Sequence, residues 1–139
     1  MNYKIIGKYI KDLNFNIPNP KTFFLLSKNI SNYKINIDIK GDQIKEKIIE
    51  VKTTLNLQPT SESFEKINTT IVYATIIELS EELKNKKEIE EIILIKVPSL
   101  IYPELRKIFV FIFESSGFKD VKISENVDFK KLYELRKVQ

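Results

Sequence analysis

The side chains that most often carry chemistry are missing from this sequence, which has no histidine and no cysteine. Thiolate nucleophiles, His- or Cys-based metal sites and the usual catalytic triads are therefore excluded. Carboxylates, lysines, arginines and tyrosines remain. Paired carboxylates could act as general acid and base, or hold Mg²⁺ or Ca²⁺. Here, however, the acids are scattered over solvent-facing positions, without a spaced pair or an acidic cluster. The three glycines, Gly7, Gly41 and Gly117, are too far apart for a phosphate-cradling loop. The tyrosines and phenylalanines could stack bases, but no ribonucleoprotein-type motif accompanies them. The sequence therefore predicts a non-enzyme with no cofactor and no metal, whose function lies in its surfaces.

One segment is unusual enough to organise the rest. Val97-Pro98-Ser99-Leu100-Ile101-Tyr102-Pro103-Glu104-Leu105-Arg106 runs on to Gly117-Phe118 and places two prolines inside an apolar helical pattern. Proline lacks the N–H and clashes with the preceding turn, so the pattern predicts a helix split or kinked at Pro98 and Pro103. From Lys86 the apolar residues Ile89, Ile92, Ile93, Val97, Leu100, Ile101, Leu105, Ile108, Phe109, Ile112 and Phe113 recur at helical spacing. Leu94, Ile95, Tyr102, Val110 and Phe111 fall off that stripe. A helix apolar nearly all round needs a second burial partner, and in so short a chain another copy of itself is the simplest one. Gly117 marks the helix end. A connection over Phe118 to Asn126 leads to a short amphipathic helix, Asp128 to Leu135, with Phe129, Leu132 and Tyr133 on one face.

The elements before Lys86 alternate with the strand period. Ile35, Ile37 and Ile39 face one way, and Gly41-Asp42 reads as the turn that follows. Ile49, Val51, Thr53, Leu55 and Leu57 form the next apolar face. Ile67, Thr69, Ile71, Tyr73, Thr75, Ile77 and Leu79 form a third. The opposite side of that last run also becomes apolar at Val72, Ala74 and Ile76, which again exceeds what one core face needs. Tyr3 to Phe15 reads as a further strand. Pro18 and Pro20 predict a loop without regular structure over Asn16 to Leu26. Its cluster Phe23, Phe24, Leu25 and Leu26 either tucks over the sheet or serves as an adhesive surface.

The length of 139 residues fits one domain, 1–139, with an ordinary core, and 42% apolar against 30% charged residues is the balance of a folded chain. No apolar run is long enough for a signal sequence or a membrane span, and the lack of cysteine suits the cytoplasm. The net charge of +4 is carried by lysines interleaved with acids, as in Lys45-Glu46-Lys47, rather than by a basic block. Nucleic acid is therefore not expected as a partner.

Several local motifs together resemble the SecB family of export chaperones. Tyr9-Ile10-Lys11-Asp12-Leu13-Asn14-Phe15 followed by Pro18-Asn19-Pro20 resembles that family's first strand and its proline-marked crossover loop. Val97-Pro98-Ser99-Leu100-Ile101-Tyr102-Pro103 with Arg106 resembles its Cys-Pro-x-x-Leu-Phe-Pro-x-x-Arg signature. Gly117-Phe118 resembles its Gly-Phe-Pro loop, and Val127-Asp128-Phe129 with Leu132-Tyr133 resembles its closing Asn-Phe-Asp-x-Leu-Tyr. The order of these motifs spans nearly the whole chain.

The resemblance implies an α+β fold: a four-stranded antiparallel sheet with a long Pro-interrupted helix and a short C-terminal helix packed on one face. It implies an ATP-independent holdase that binds unfolded preproteins along apolar grooves and passes them to the SecA motor of the Sec translocase. It also implies a homotetramer, a dimer of dimers, without insertion into the membrane. Carried over by position, client binding falls to Phe23, Phe24, Leu25, Leu26, Ile35, Ile37, Ile39, Phe129, Leu132 and Tyr133. SecA docking falls to Asp12, Asn16, Asn68 and Thr70. Contacts between copies fall to Ile67, Thr69, Ile71 and Tyr73, and the off-stripe helical residues Leu94, Ile95, Val110 and Phe111 add to them. The sequence departs from the family pattern where Asn16 and Thr70 stand in place of expected acids, and it lacks the acidic tail, ending Arg136-Lys137-Val138-Gln139. Two other readings remain at this stage. One is a SecB-like chaperone dedicated to a narrow partner such as an antitoxin; the other is a hot-dog-type acyl-CoA thioesterase, which also wraps a sheet on a long helix.

Overall fold

The computed structural model describes residues 2–64, 67–119 and 123–138. Alternating sequence becomes strand: β1 is Tyr3–Asn16, β2 Tyr33–Lys45, β3 Ile48–Pro59 and β4 Asn68–Leu79. They form one antiparallel sheet in the order β1-β4-β3-β2, which leaves β1 and β2 as its edges. Register places Ile37 opposite Leu55, Leu55 opposite Ile71, and Ile71 opposite Leu13, so one apolar face runs across all the strands. That is the face the helices cover.

The helices are α1 (Pro20–Asn29), α2 (Lys86–Glu91), α3 (Val97–Ser115) and α4 (Phe129–Val138). Val97, Ile101, Leu105, Phe109 and Phe113 of α3 are all at most 1% exposed against the sheet. Each such side chain contributes roughly 1.5–3 kcal/mol by leaving water. The chain therefore has the expected α+β architecture, with α3 and α4 on one face.

Three expectations are corrected. The proline-marked segment is irregular only over Ile17, Pro18 and Asn19, because Pro20 opens α1. Proline is at home in the first turn, where its missing N–H has no intrahelical partner to lose. Asn19 caps that turn, its Oδ1 accepting from Thr22 N–H at 2.8 Å.

Gly41-Asp42 is not a turn either. β2 runs through it to Lys45, and the hairpin closes at Glu46-Lys47, with Lys47 in the left-handed region at φ 66°. Gly41 serves a close approach instead. A Cβ there would lie 2.9 Å from Cγ2 of Ile93, so the missing side chain lets the helical segment settle on β2.

Pro98 and Pro103 do not split the helix. Ile92–Lys96 forms a π-helical turn that joins α2 to α3 without a break, and Pro98 lies in the first turn of α3. The wider turn accommodates the ring and the missing donor, and the Ser99 hydroxyl occupies the Ile95 carbonyl at 2.6 Å. Gly117 ends α3 at φ 93°, where a Cβ would meet the Phe23 ring at 3.2 Å.

Tyr102 is also reassigned. Its second burial partner lies within the chain, since its ring packs edge-on against Phe129 of α4 at 5.9 Å. Its hydroxyl donates to the Ser124 carbonyl at 2.6 Å.

Candidate functional site

A groove of about 270 Å³ lies where β2, the π-helical turn and α4 meet, walled by Ile37, Ile39, Leu94, Leu132, Tyr133 and Arg136 with Asp38 at its rim. Its shape follows from sequence. Alternation puts Ile35, Ile37 and Ile39 on the covered face of β2, and helical spacing puts Phe129, Leu132 and Tyr133 on the β2-facing side of α4. Asp128 starts α4 by accepting from Lys131 N–H at 3.0 Å. Ile35 and Ile37 are half-buried, and Leu132 is 42% exposed. These side chains are available to an incoming chain.

A smaller hollow of about 140 Å³ lies at the other end of the same strand, between Leu25 of α1, Tyr33, Phe64 and Ile67. From Tyr33 to Ile39 an extended strand covers about 20 Å. β2 thus runs as an open edge between two hollows, each lined in part by apolar side chains. A larger hollow of about 590 Å³ opens beside it along residues 56–62, Phe64 and Ile67.

The candidate client residues fall into distinct groups. Ile37, Ile39, Leu132 and Tyr133 converge on the groove, with Ile35 next along the strand. Leu26 and Phe129 are 1% and 2% exposed and belong to the core beneath it. Phe23 is half-buried against Phe118, with ring centroids 5.0 Å apart. Phe24, 68% exposed, and Leu25 form a separate apolar ridge on α1.

Sequence reasoning missed Arg136, whose Nη1 donates to the Ile39 carbonyl at 3.3 Å. The signal was present, because position 136 lies seven after Phe129 and four after Leu132, on the same helix face. Leu94 was assigned to contacts between copies but lies in the groove wall.

The other candidate contacts between copies divide sharply. Thr69, Ile71 and Tyr73 are buried within the chain, and Tyr73 bonds Glu104 of α3. They point into the core because alternation aims them at the helices, so they are not surface residues here. Ile67, Ile95 and Val110 are half-buried, whereas Phe111 is 68% exposed. Exposed apolar side chains that the motifs did not assign lie on edge strand β1 (Ile5, Ile6, Ile10 and Leu13) and at Leu100 of α3.

Asp12, Asn16, Asn68 and Thr70 do come together. Asn16 pairs with Asn68, Asn14 with Thr70 and Asp12 with Val72, all on the outer, helix-free face at the β1–β4 seam. Of those four residues only Asp12 is charged.

The same outer face holds a charge network centred on Glu50 of β3, which is 6% exposed. Lys11 reaches it from β1 at 2.7 Å, and the Tyr9 hydroxyl donates to its other oxygen. Both span β4, which lies between β1 and β3, to reach Glu50 opposite Ile76. The Lys11 bond, then the Tyr9 bond, hold the Glu50 carboxyl below its usual range. The Lys52 ammonium does the same for Asp42. On the covered face, Glu104 accepts from Lys8 at 2.9 Å and from the Tyr73 hydroxyl at 3.1 Å, tying α3 to β1 and β4. Among the described residues, no helix is long and apolar enough to cross a membrane.

Comparison with known proteins places this geometry. The family model described as preprotein translocase subunit SecB matches residues 1–139. The chain is 41% identical over 135 residues to a putative protein-export protein SecB of Pelagibacter ubique, covering 97% of this chain and 96% of that one. It is 29% identical to protein-export protein SecB of Anaplasma phagocytophilum, covering 94% and 90%. Among solved structures, a SecB-like chaperone of Mycobacterium tuberculosis in complex with an antitoxin peptide superposes with a TM-score of 0.62. It is 9% identical, with 91% of this chain and 88% of that one covered. Full-length agreement with the family model, relatives matched nearly end to end, and a shared sheet-and-helix fold lead to one conclusion: this chain belongs to the SecB family.

Proposed function

We propose that this protein is an ATP-independent export chaperone that holds unfolded preproteins along the β2 edge and delivers them to SecA in the cytoplasm. The observation that carries this reading is the half-exposed apolar track of β2, open along its edge and ending in a hollow at each end. Unfolded chains share no sequence, so a general binder must rely on apolar burial and on backbone hydrogen bonds. The track offers both. The exposed ridge Phe24–Leu25 extends the apolar area beyond the groove.

Two exposed apolar surfaces support assembly as a homotetramer. β1 is an edge of fourteen residues carrying exposed Ile5, Ile6, Ile10 and Leu13, and α3 exposes Leu100 and Phe111. Pairing β1 edges between copies would satisfy the free backbone groups, and packing α3 against α3 would cover the second surface. Light scattering at micromolar concentration tests this, and a stable monomer would refute it.

SecA docking at the seam of Asp12, Asn16, Asn68 and Thr70 would be weakly electrostatic, because a single carboxylate remains there. Charge pairs govern encounter and specificity more than affinity. Binding to the SecA of the same organism should therefore tolerate salt and weaken further with Asp12→Lys. Calorimetry showing no effect of that change would remove the assignment. The holdase reading itself is tested by suppression of aggregation of an unfolded preprotein without ATP. Failure with every unfolded protein tried would overturn it.

A further inference from the structure

β2 has one free side, and which of its backbone groups face that side follows from two contacts. Thr60 N–H donates to the Asn32 carbonyl at 2.8 Å across the β2–β3 junction. Backbone groups alternate sides along a strand, so Lys34, Asn36 and Asp38 also address β3. Ile35, Ile37 and Ile39 therefore address the free edge. The Arg136 bond to the Ile39 carbonyl agrees, since a side chain can reach that oxygen only if it points outward. The outward backbone groups and the groove-facing side chains thus belong to the same residues.

Arg136 is solvent-exposed on α4, yet its guanidinium lies over this edge. Among the described residues the ion pairs join lysines to Asp or Glu, and none includes Arg136. Its contact with Ile39 is a single hydrogen bond of 3.3 Å, just beyond the usual range of about 2.7–3.2 Å and therefore weak. Among the described residues no further hydrogen bond or ion pair holds the side chain there, and it covers a carbonyl that an added strand would need.

We propose that Arg136 is a latch on the β2 groove: an extended segment of unfolded polypeptide adds to β2 by displacing the guanidinium from the Ile39 carbonyl. The latch also sets specificity. The displaced cation stays beside the groove, so segments with lysine or arginine opposite Ile39 are disfavoured. Segments with apolar residues at alternate positions place them against Ile37, Leu94 and Leu132. This rests on the chaperone reading above.

The test uses the full chain and a synthetic peptide of alternating leucine and serine, beside the same peptide with a central lysine. On binding to the parent, the amides of Ile35, Ile37 and Ile39 should gain protection from hydrogen exchange, while those of Asn36 and Asp38, already bonded to β3, stay unchanged. R136Q should associate several-fold faster with the leucine–serine peptide and should discriminate less against the lysine version. Thermal melting establishes that the variant is folded, and the exchange experiment needs no variant. Uniform protection along β2, or R136Q binding no faster than the parent, would overturn the latch and leave the chaperone reading standing. Self-association of R136Q through β2 would overturn it as well, assigning the edge to a second copy. If the parent binds neither this peptide nor any unfolded protein, both readings fall together.

Discussion

Phe129 and Phe24 have the same chemistry and opposite expected phenotypes. Phe129 is 2% exposed, packs edge-on against Tyr102 and anchors α4 over the core. Replacing a buried Phe by Ala costs about 3–5 kcal/mol, from lost transfer energy and the cavity left behind. The aromatic pair accounts for about 0.5–1.5 of that. At roughly 3 °C per kcal/mol for a chain of this size, Phe129→Ala should lower the melting temperature by about 10 °C. It should also loosen Leu132 and Tyr133, which α4 carries into the groove. Phe24 is 68% exposed, so Phe24→Ser should change stability by no more than about 0.5 kcal/mol. Any loss of aggregation suppression in that variant would then report client binding alone. The chain has no tryptophan, so far-UV circular dichroism or tyrosine fluorescence follows the melt, at one fixed protein concentration because any assembly would shift it. A Phe129→Ala protein that melts with the parent would refute the placement of α4. A Phe24→Ser protein that unfolds would refute the reading of α1 as an exposed ridge.

Gly41→Ala should destabilise by about 1–3 kcal/mol through overpacking against Ile93, and Ile93→Ala in the same chain should recover part of the loss in denaturant titrations. Asn19→Ala should cost about 1 kcal/mol by removing the α1 cap, visible as a lower denaturation midpoint with unchanged slope. Glu50 is held below its ordinary value of 4.5 by Lys11 and Tyr9, so its stabilising contribution is fully present above that value. It is lost as the pH falls through the lowered folded-state value. Glu50→Gln should flatten that limb of the stability–pH curve, and an unchanged acid limb would show that the network is not coupled to folding.

Much of this protein follows from local pattern. Alternation at Ile35–Ile39, Ile49–Leu57 and Ile67–Leu79 predicts three of the strands and the face each buries, because side-chain direction in a strand has a period of two whatever the partner. Helical spacing from Lys86 onward predicts α3, for the same kind of reason. The lack of histidine and cysteine narrows the chemistry before any fold is known. Local pattern fails where a residue's meaning depends on a neighbour distant in sequence. Gly41 reads as a turn until Ile93 is seen to need its missing Cβ. Tyr102 reads as an interface residue until Phe129 covers it, and Thr69 and Ile71 prove to be core. Glu50, the most buried carboxylate among the ion pairs, acquires its partners only because the strand order brings Lys11 and Tyr9 of β1 across β4 to β3. The groove is likewise a product of tertiary structure, since β2, the π-helical turn and α4 are far apart in the chain. Sequence determined which faces are apolar. Packing decided which of them the chain covers for itself and which it leaves open, because coverage is set by contacts between distant segments, and residue periodicity cannot encode those.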